Sequence, residues 1–173
     1  MGKIYTALGL MSGTSMDGVD SSIIQSDGKT IYKAVSNKYF SYKPDFFKKI
    51  TSLREKINEP KDLKNMLDEI KSIERELTLL HAQISNRIIE KSELKIDFIG
   101  FHGQTIFHDV GKKISKQLGD GNLLSQLTKK RVVYNFRQND LKNGGEGAPL
   151  TPVYHKLLVE LLEKKNKIKT PVT

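Results

Sequence analysis

The 173 residues contain no cysteine and no tryptophan. The missing cysteine rules out a disulfide framework and any thiolate metal site, and it fits a reducing compartment. No apolar run approaches the roughly 20 residues that a bilayer-spanning helix needs. The opening MGKIYTALGLMSG is a poor signal peptide, because no small-residue cleavage site follows its short apolar stretch. MGKIYT also matches a loose myristoylation pattern, but Ile4 to Leu10 reads better as a buried first strand. Arginine is scarce, with five in the chain, so the net charge of +9 is mostly a lysine excess. Those lysines scatter over helix faces and loops, and no aromatic-plus-arginine platform recurs. They set solubility and a weak general field rather than a nucleic-acid surface. The expectation is a cytoplasmic protein with neither nucleic-acid nor membrane partners.

What is present suits one globular domain with a real core: 37% hydrophobic and 28% charged residues. Residues 3–11 are apolar and strand-like, 13–18 form a turn, and Val19 to Gln25 reads as a second strand. Ser26-Asp27-Gly28 carries a D-G hairpin signal, and Thr30 to Tyr42 is a third strand. Three strands joined by tight turns predict an antiparallel meander. Pro44 opens a helix, and Pro60 punctuates the chain. From Leu63 apolar residues recur at steps of three and four to about Lys91, marking a long amphipathic helix. His81 lies near its apolar edge and reads as a packing or capping histidine, with nothing nearby to complete a site. Residues 96–101, IDFIGF, are a short continuous apolar strand, so the sheet is expected to turn partly parallel. A short strand near SKQLG, a hairpin turn at Gly119 to Asn122, a helix from Leu123 to Lys129 and the strand RVVYNF follow. A helix over 151–165 and a tail, NKIKTPVT, entering another strand complete the expected α/β order.

Three segments carry chemistry. The first is Gly13, Thr14, Ser15, Met16, Asp17, Gly18, Val19 and Asp20, preceded by Ser12. Its glycines allow backbone N–H groups to approach an anion, and its hydroxyls add donors. Asp17 and Asp20 would repel a phosphate directly, so Asp17 makes sense if Mg²⁺ stands between them through water. The Gly-Lys-Ser/Thr ending of a Walker A loop is missing. By itself the segment reads equally as a phosphate loop or an ordinary hairpin turn. The second segment, Gly100 to Thr105, has His102 and Gln104 at a strand's carboxyl end, where α/β sheets place ligand groups. Either they meet a sugar or His102 is a loop histidine; His102 and His108 alone make no metal site. The third is NFRQND followed by NGGEGAPL. Arg137 has the fork that clamps a carboxylate or phosphate, and Asp140 either orients it or binds a hydroxyl. The alternative is a structural Arg137–Asp140 pair beside a flexible loop.

Together the three segments look like a kinase of the hexokinase–actin superfamily. GLMSGTSMDGVD, IGFHGQT and NFRQNDLKNGGEGAPLTPVYH resemble, in the same order, the signatures of anhydro-N-acetylmuramic acid kinases. The likeness runs along essentially the whole chain, although the Lys-rich stretch from 45 to 95 is generic, and Glu146 stands where relatives more often carry Gln.

The resemblance implies an RNase H-like, actin-like ATPase lobe. Its mixed sheet opens on the meander, helices pack on the sheet, and it is incomplete without a second lobe. It implies ATP and Mg²⁺ as cofactors and an anhydro amino sugar as substrate. The implied reaction adds water across the 1,6-anhydro ring of anhydro-N-acetylmuramic acid. It phosphorylates O6, giving N-acetylmuramic acid 6-phosphate in cell-wall sugar recycling. Carried over by motif, Gly13 to Asp20 holds ATP phosphates, while His102, Gln104, Arg137 and Asp140 form a sugar-facing wall. Family members continue with an Asn-Ile-Gly-Gly strand and an Asp-Thr-Gly-Pro segment whose Asp is taken as the water-activating base. By that resemblance the catalytic Asp is expected beyond Thr173, and none of residues 1–173 is assigned its role. Residues 1–173 are therefore expected to be the N-terminal lobe of a two-lobed kinase, inactive alone or a truncated remnant. A complementing C-terminal chain would restore the second lobe, and the full-length form allows a homodimer.

Overall fold

A computed structural model describes residues 2–166; the tail strand expected to lead up to Thr173 lies outside them. The meander is present: β1 (Tyr5–Ser12), β2 (Gly18–Ser26) and β3 (Tyr32–Ser41) pair antiparallel in succession. Along β1, Leu8, Leu10 and Ser12 are buried on one face, while Gly9 and Met11 point to the other. The β2–β3 connection is longer than a two-residue D-G turn. The Asp27 carboxylate accepts N–H bonds from Lys29, Thr30 and Ile31, which fixes the loop and holds the carboxyl well below its usual range.

Helix α1 (Pro44–Lys56) starts on its proline and buries Phe46, Ile50 and Leu53. The long helix expected from Leu63 is two helices. Pro60 begins α2 (Pro60–Asn65) within a Glu59/Asp62 capping box, and the chain breaks at Met66 before α3 (Leu67–Lys91). Ile70, Ile73, Leu77, His81 and Ile88 form the buried stripe of α3.

Strand β4 (Phe98–Asp109) runs eight residues past the expected end at Phe101. Its first half lies parallel to β1 and to β6 (Arg131–Tyr134), and its second half pairs antiparallel with β5 (Ile114–Leu118). The expected hairpin at Gly119 to Asn122 is instead a helix start. The Asp120 carboxylate accepts the N–H groups of Asn122 and Leu123 and caps α4 (Gly121–Thr128). RVVYNF also ends early: Asn135 turns left-handed, and α5 (Phe136–Lys142) begins where strand was expected. Helix α6 (Pro152–Asn166) follows.

The sheet order is β3-β2-β1-β4-β5, with β6 also on β4. One face carries the core, in which Leu8, Leu10, Val19, Ile99 and Phe101 meet Ile50, Leu53, Leu77 and Leu124. Each such side chain contributes roughly 1.5–3 kcal/mol on burial. The other face is partly bare: Met11, Tyr39 and Val133 are each about half exposed, at 49%, 51% and 49%. This mixed α/β sheet, with its meander start and helix-packed face, is an RNase H-like, actin-like lobe.

Candidate functional site

The turn between β1 and β2 is clamped from beneath. Gly13 O accepts the Met16 N–H (3.1 Å) and the Gln104 side-chain amide (2.9 Å). Met16 takes a left-handed backbone (φ 57°) and buries its side chain in the core. That conformation costs about 1–2 kcal/mol, which the burial of the thioether chain offsets. Tyr42 donates its N–H to Asp17 O (2.8 Å), and its hydroxyl meets Ser12 Oγ at 2.6 Å. Thr14, Ser15 and Asp17 are left exposed on top. Among the described residues, the backbone N–H groups of Thr14 and Ser15 have no intrachain acceptor. The Ser15 hydroxyl donates to Asp17 Oδ1 (2.5 Å); that bond holds the Asp17 carboxyl below its usual range, with smaller help from its own N–H and Tyr39.

The expected loop of Gly13 to Asp20 divides in two. Gly18, Val19 and Asp20 already belong to β2, and Val19 is fully buried toward the helices, so its side chain reaches no ligand. Ser12 is also lost as a donor, since it is 2% exposed and faces inward. Asp20 turns to the bare face, pairs in register with Tyr39, and lines the cleft there.

His102 and Gln104 part company for a backbone reason. Between Leu10 and Ser12 on β1, β4 passes from Phe101 to Gln104, so β4 carries one extra residue. Gly103 takes up that bulge at φ 71°, where an added Cβ would run into the Leu118 carbonyl. Without the bulge, residues 102 and 104 would share a face. With it, His102 looks to the bare face, and Gln104 sits beside Ser12, fully buried. Gln104 thus reaches the loop over residues 13–17 from below and lies apart from the wall on which sequence reasoning placed it. Among the described residues its Oε1 has no hydrogen-bond partner.

Arg137 joins His102 from above. Its Nε–H donates to His102 Nε2 (3.1 Å), and its Nη1 donates to Gly147 O (3.2 Å). His102 Nδ1 lies 2.9 Å from Gly103 O, an acceptor only, so Nδ1 carries the imidazole's single proton. Burial, and secondarily the Arg137 charge, push the His102 pKa below its usual value. Burial likewise lowers that of Arg137. Arg137 and Asp140 ride on helix α5 rather than in a glycine-rich loop, and they form no ion pair. The Asp140 carboxylate accepts the Gly147 N–H (2.8 Å), so Arg137 and Asp140 grip the two sides of one glycine.

Two adjoining hollows on the bare face share Gly9, Met11, His102 and Phe136. Asp20, Asn37 and Tyr39 wall one of them; Arg137, Asn139, Asp140 and Tyr154 wall the other, a cleft of about 1240 Å³. Tyr39 links the cleft to the loop, because its ring lines the first hollow and its hydroxyl lies over Gly18, next to Asp17. A phosphate on the loop and a polar ring in the cleft would therefore be neighbours. The water-activating Asp that the resemblance implies was expected beyond Thr173, outside the described residues. No group of three or more His, Asp or Glu converges among the described residues. A magnesium ion held mainly by phosphate oxygens and water, with one carboxylate nearby, needs no such group. Tyr39, Tyr42 and Phe136 gave no signal in sequence, as each reads as an ordinary strand aromatic. The reading of His81 as a packing residue holds, but it has a polar neighbour after all, since its Nε2 lies 3.4 Å from Ser12 Oγ.

A family model for anhydro-N-acetylmuramic acid kinase matches residues 5–169. Among curated relatives, the anhydro-N-acetylmuramic acid kinase of Pelagibacter ubique (strain HTCC1062) is 56% identical over 171 residues, covering 99% of this chain and 44% of its own length. That of Gluconobacter oxydans (strain 621H) is 43% identical, covering 88% and 42%. That of Agrobacterium fabrum (strain C58 / ATCC 33970) is 40% identical, covering 91% and 43%. The chain thus spans less than half the length of these relatives.

Proposed function

The chain belongs to the anhydro-N-acetylmuramic acid kinase family, and from that premise we propose that it supplies the phosphate loop and sugar wall of a cytoplasmic cell-wall-sugar kinase. The reaction consumes ATP, water and 1,6-anhydro-N-acetylmuramic acid. Water adds at the anomeric carbon, O6 leaves the anhydro bridge, and the γ-phosphoryl moves to O6, giving N-acetylmuramic acid 6-phosphate and ADP. The observation that carries this reading is the clamped loop, with N–H groups free among the described residues, beside the cleft, Tyr39 standing between them.

Each residue has a task within that proposal. The Thr14 and Ser15 N–H groups, with the Thr14 hydroxyl, bind phosphate oxygens. Pre-set donors cost no reorganisation when charge develops. Asp17, ionised at neutral pH, would hold Mg²⁺ through water, and the ion, when bound, would offset phosphate charge. Asp20, Tyr39 and His102 line the sugar cleft. Arg137 keeps part of its guanidinium unspent and has no carboxylate within ion-pair distance among the described residues, so it suits the sugar's carboxylate. Residues 1–173 would form the N-terminal lobe of a two-lobed enzyme.

A second reading is that these residues bind both ligands without turning them over alone. It draws on the chain spanning less than half the length of the curated relatives that it matches. One assay separates the two: incubate the 173-residue protein with ATP, Mg²⁺ and the anhydro sugar, with calorimetric binding in parallel. Sugar 6-phosphate formed by this chain alone overturns the second reading. Absence of both MgATP and sugar binding overturns both.

A further inference from the structure

The geometry points to Tyr42 as a positioning residue that sets the spacing and height of the phosphate loop, acting through Ser12 and His81. The inference rests on the reading of residues 13–17 as that loop. Tyr42 holds both of its ends: the hydroxyl engages Ser12 where β1 stops, and the N–H engages Asp17 just before β2 starts.

The direction of the buried chain follows from its far end. The Leu77 carbonyl, 2.9 Å from His81 Nδ1, only accepts, so Nδ1 carries the proton and Nε2 is bare. The Ser12 hydroxyl therefore donates to His81, and the Tyr42 hydroxyl donates to Ser12. Every proton points into the protein and none toward the ligand. Ser12 and His81 are 2% and 0% exposed. Both aromatic members are braced: Tyr42 sits edge-on to Phe46 of α1 at 4.9 Å, and His81 lies against Phe101 of β4 at 5.0 Å. The loop is thereby tied to α1, α3 and β4 at once. Apolar side chains would fill this space without the cost of burying polar groups. What the polar chain adds is a fixed distance between the loop's ends, and so a fixed arc for its N–H donors.

The test uses Tyr42→Phe, which keeps the ring and deletes the hydroxyl, with Ser12→Ala and the double variant. Amide hydrogen exchange at Met16 and Tyr42, whose N–H groups are bonded to Gly13 O and Asp17 O, should accelerate about tenfold beyond any change in the β4 core, and MgATP binding should weaken by about five- to tenfold. Because the two hydroxyls act as one chain, the double variant should be no worse than either single one. Wild-type loop exchange in Tyr42→Phe, or additive effects, would overturn the inference. Should Tyr42→Phe not fold, Ser12→Ala decides it: a loosened loop over a normal core supports the chain, and an unchanged loop removes it. If the wild-type protein binds no MgATP, the phosphate reading falls, while the exchange comparison still decides the role of Tyr42.

Discussion

The two loops proposed to face the ligands are held by opposite means. The loop over residues 13–17 draws its restraints from distant parts of the chain. Gln104 is 91 positions away, Tyr42 is 30 from Ser12, and His81 is 69 from it. The segment from Asn135 to Gly147 is held mostly by itself: Asp140 binds Gly147, Gly145 donates to Asp140 O, and Asn143 donates to Asn139. Its link outward to the sheet runs from Arg137 to His102, with Gln138 reaching the Ser115 carbonyl. A loop pinned by the core shares the stability of the core, whereas a locally pinned one opens on its own. The first arrangement suits a site for charged phosphates, which gain from donors fixed in advance. The second suits a wall that closes over a sugar and releases it.

The largest effect that could break this contrast is a pair of alanine substitutions. Gly103→Ala places a Cβ at φ 71° against the Leu118 backbone, which cannot swing away. It should destabilise the whole protein by about 3 kcal/mol, from the left-handed penalty plus overpacking. Gly145→Ala meets the Asp140 carboxylate, a side chain that can rotate, so global stability should fall by less than about 1 kcal/mol. Equal losses in denaturant titrations of the two variants would erase the distinction between core-held and self-held.

Acid offers a second lever of slightly smaller size. Burial pushes His81 down to about 4 from an ordinary 6.5, the Leu77 carbonyl opposing only in part. Its surroundings are Ser12, the Phe101 ring and its own helix, with no charged group among its hydrogen-bond partners. Between those two pH values the unfolded chain binds a proton that the folded one refuses. Stability is therefore complete above about pH 6.5 and falls as pH drops toward 4, by up to about 3 kcal/mol. His102 adds a contribution of the same sign. In His81→Gln most of that slope should vanish; an unchanged slope would place the titrating group elsewhere.

The sequence disclosed the first loop better than the second, for a physical reason. Strand alternation and the glycine–hydroxyl run are local signals, so the meander, the turn over 13–17 and the stripe of α3 could all be read directly. Two things were not local. The bulge at Gly103 shows only in the register between β1 and β4, and it moves Gln104 from the expected sugar wall to the underside of the loop over residues 13–17. The left-handed Asn135 turned an apparent strand end into helix α5. NFRQND contains no proline, and Asn135, a residue that tolerates the left-handed region, was its one local hint of the change. His81 was rightly placed in the packing. Its partners Ser12 and Tyr42 lay too far along the chain for spacing to reveal.

The smallest predicted effect sharpens the contrast most. Asp140→Ala removes the acceptor of the Gly147 N–H. Losing one partly buried hydrogen bond should cost about 1 kcal/mol. Because the bond is local, that cost should appear as faster amide exchange over residues 143–148, with exchange at 13–17 unchanged. The informative alternative is that both loops loosen together. Arg137 holds Gly147 from the side opposite Asp140 and reaches His102, which lies two residues from Gln104 across the bulge. Acceleration at 13–17 would mean that this bridge carries strain between the two walls. Closing the sugar wall would then also adjust the phosphate loop, and the two would count as one device.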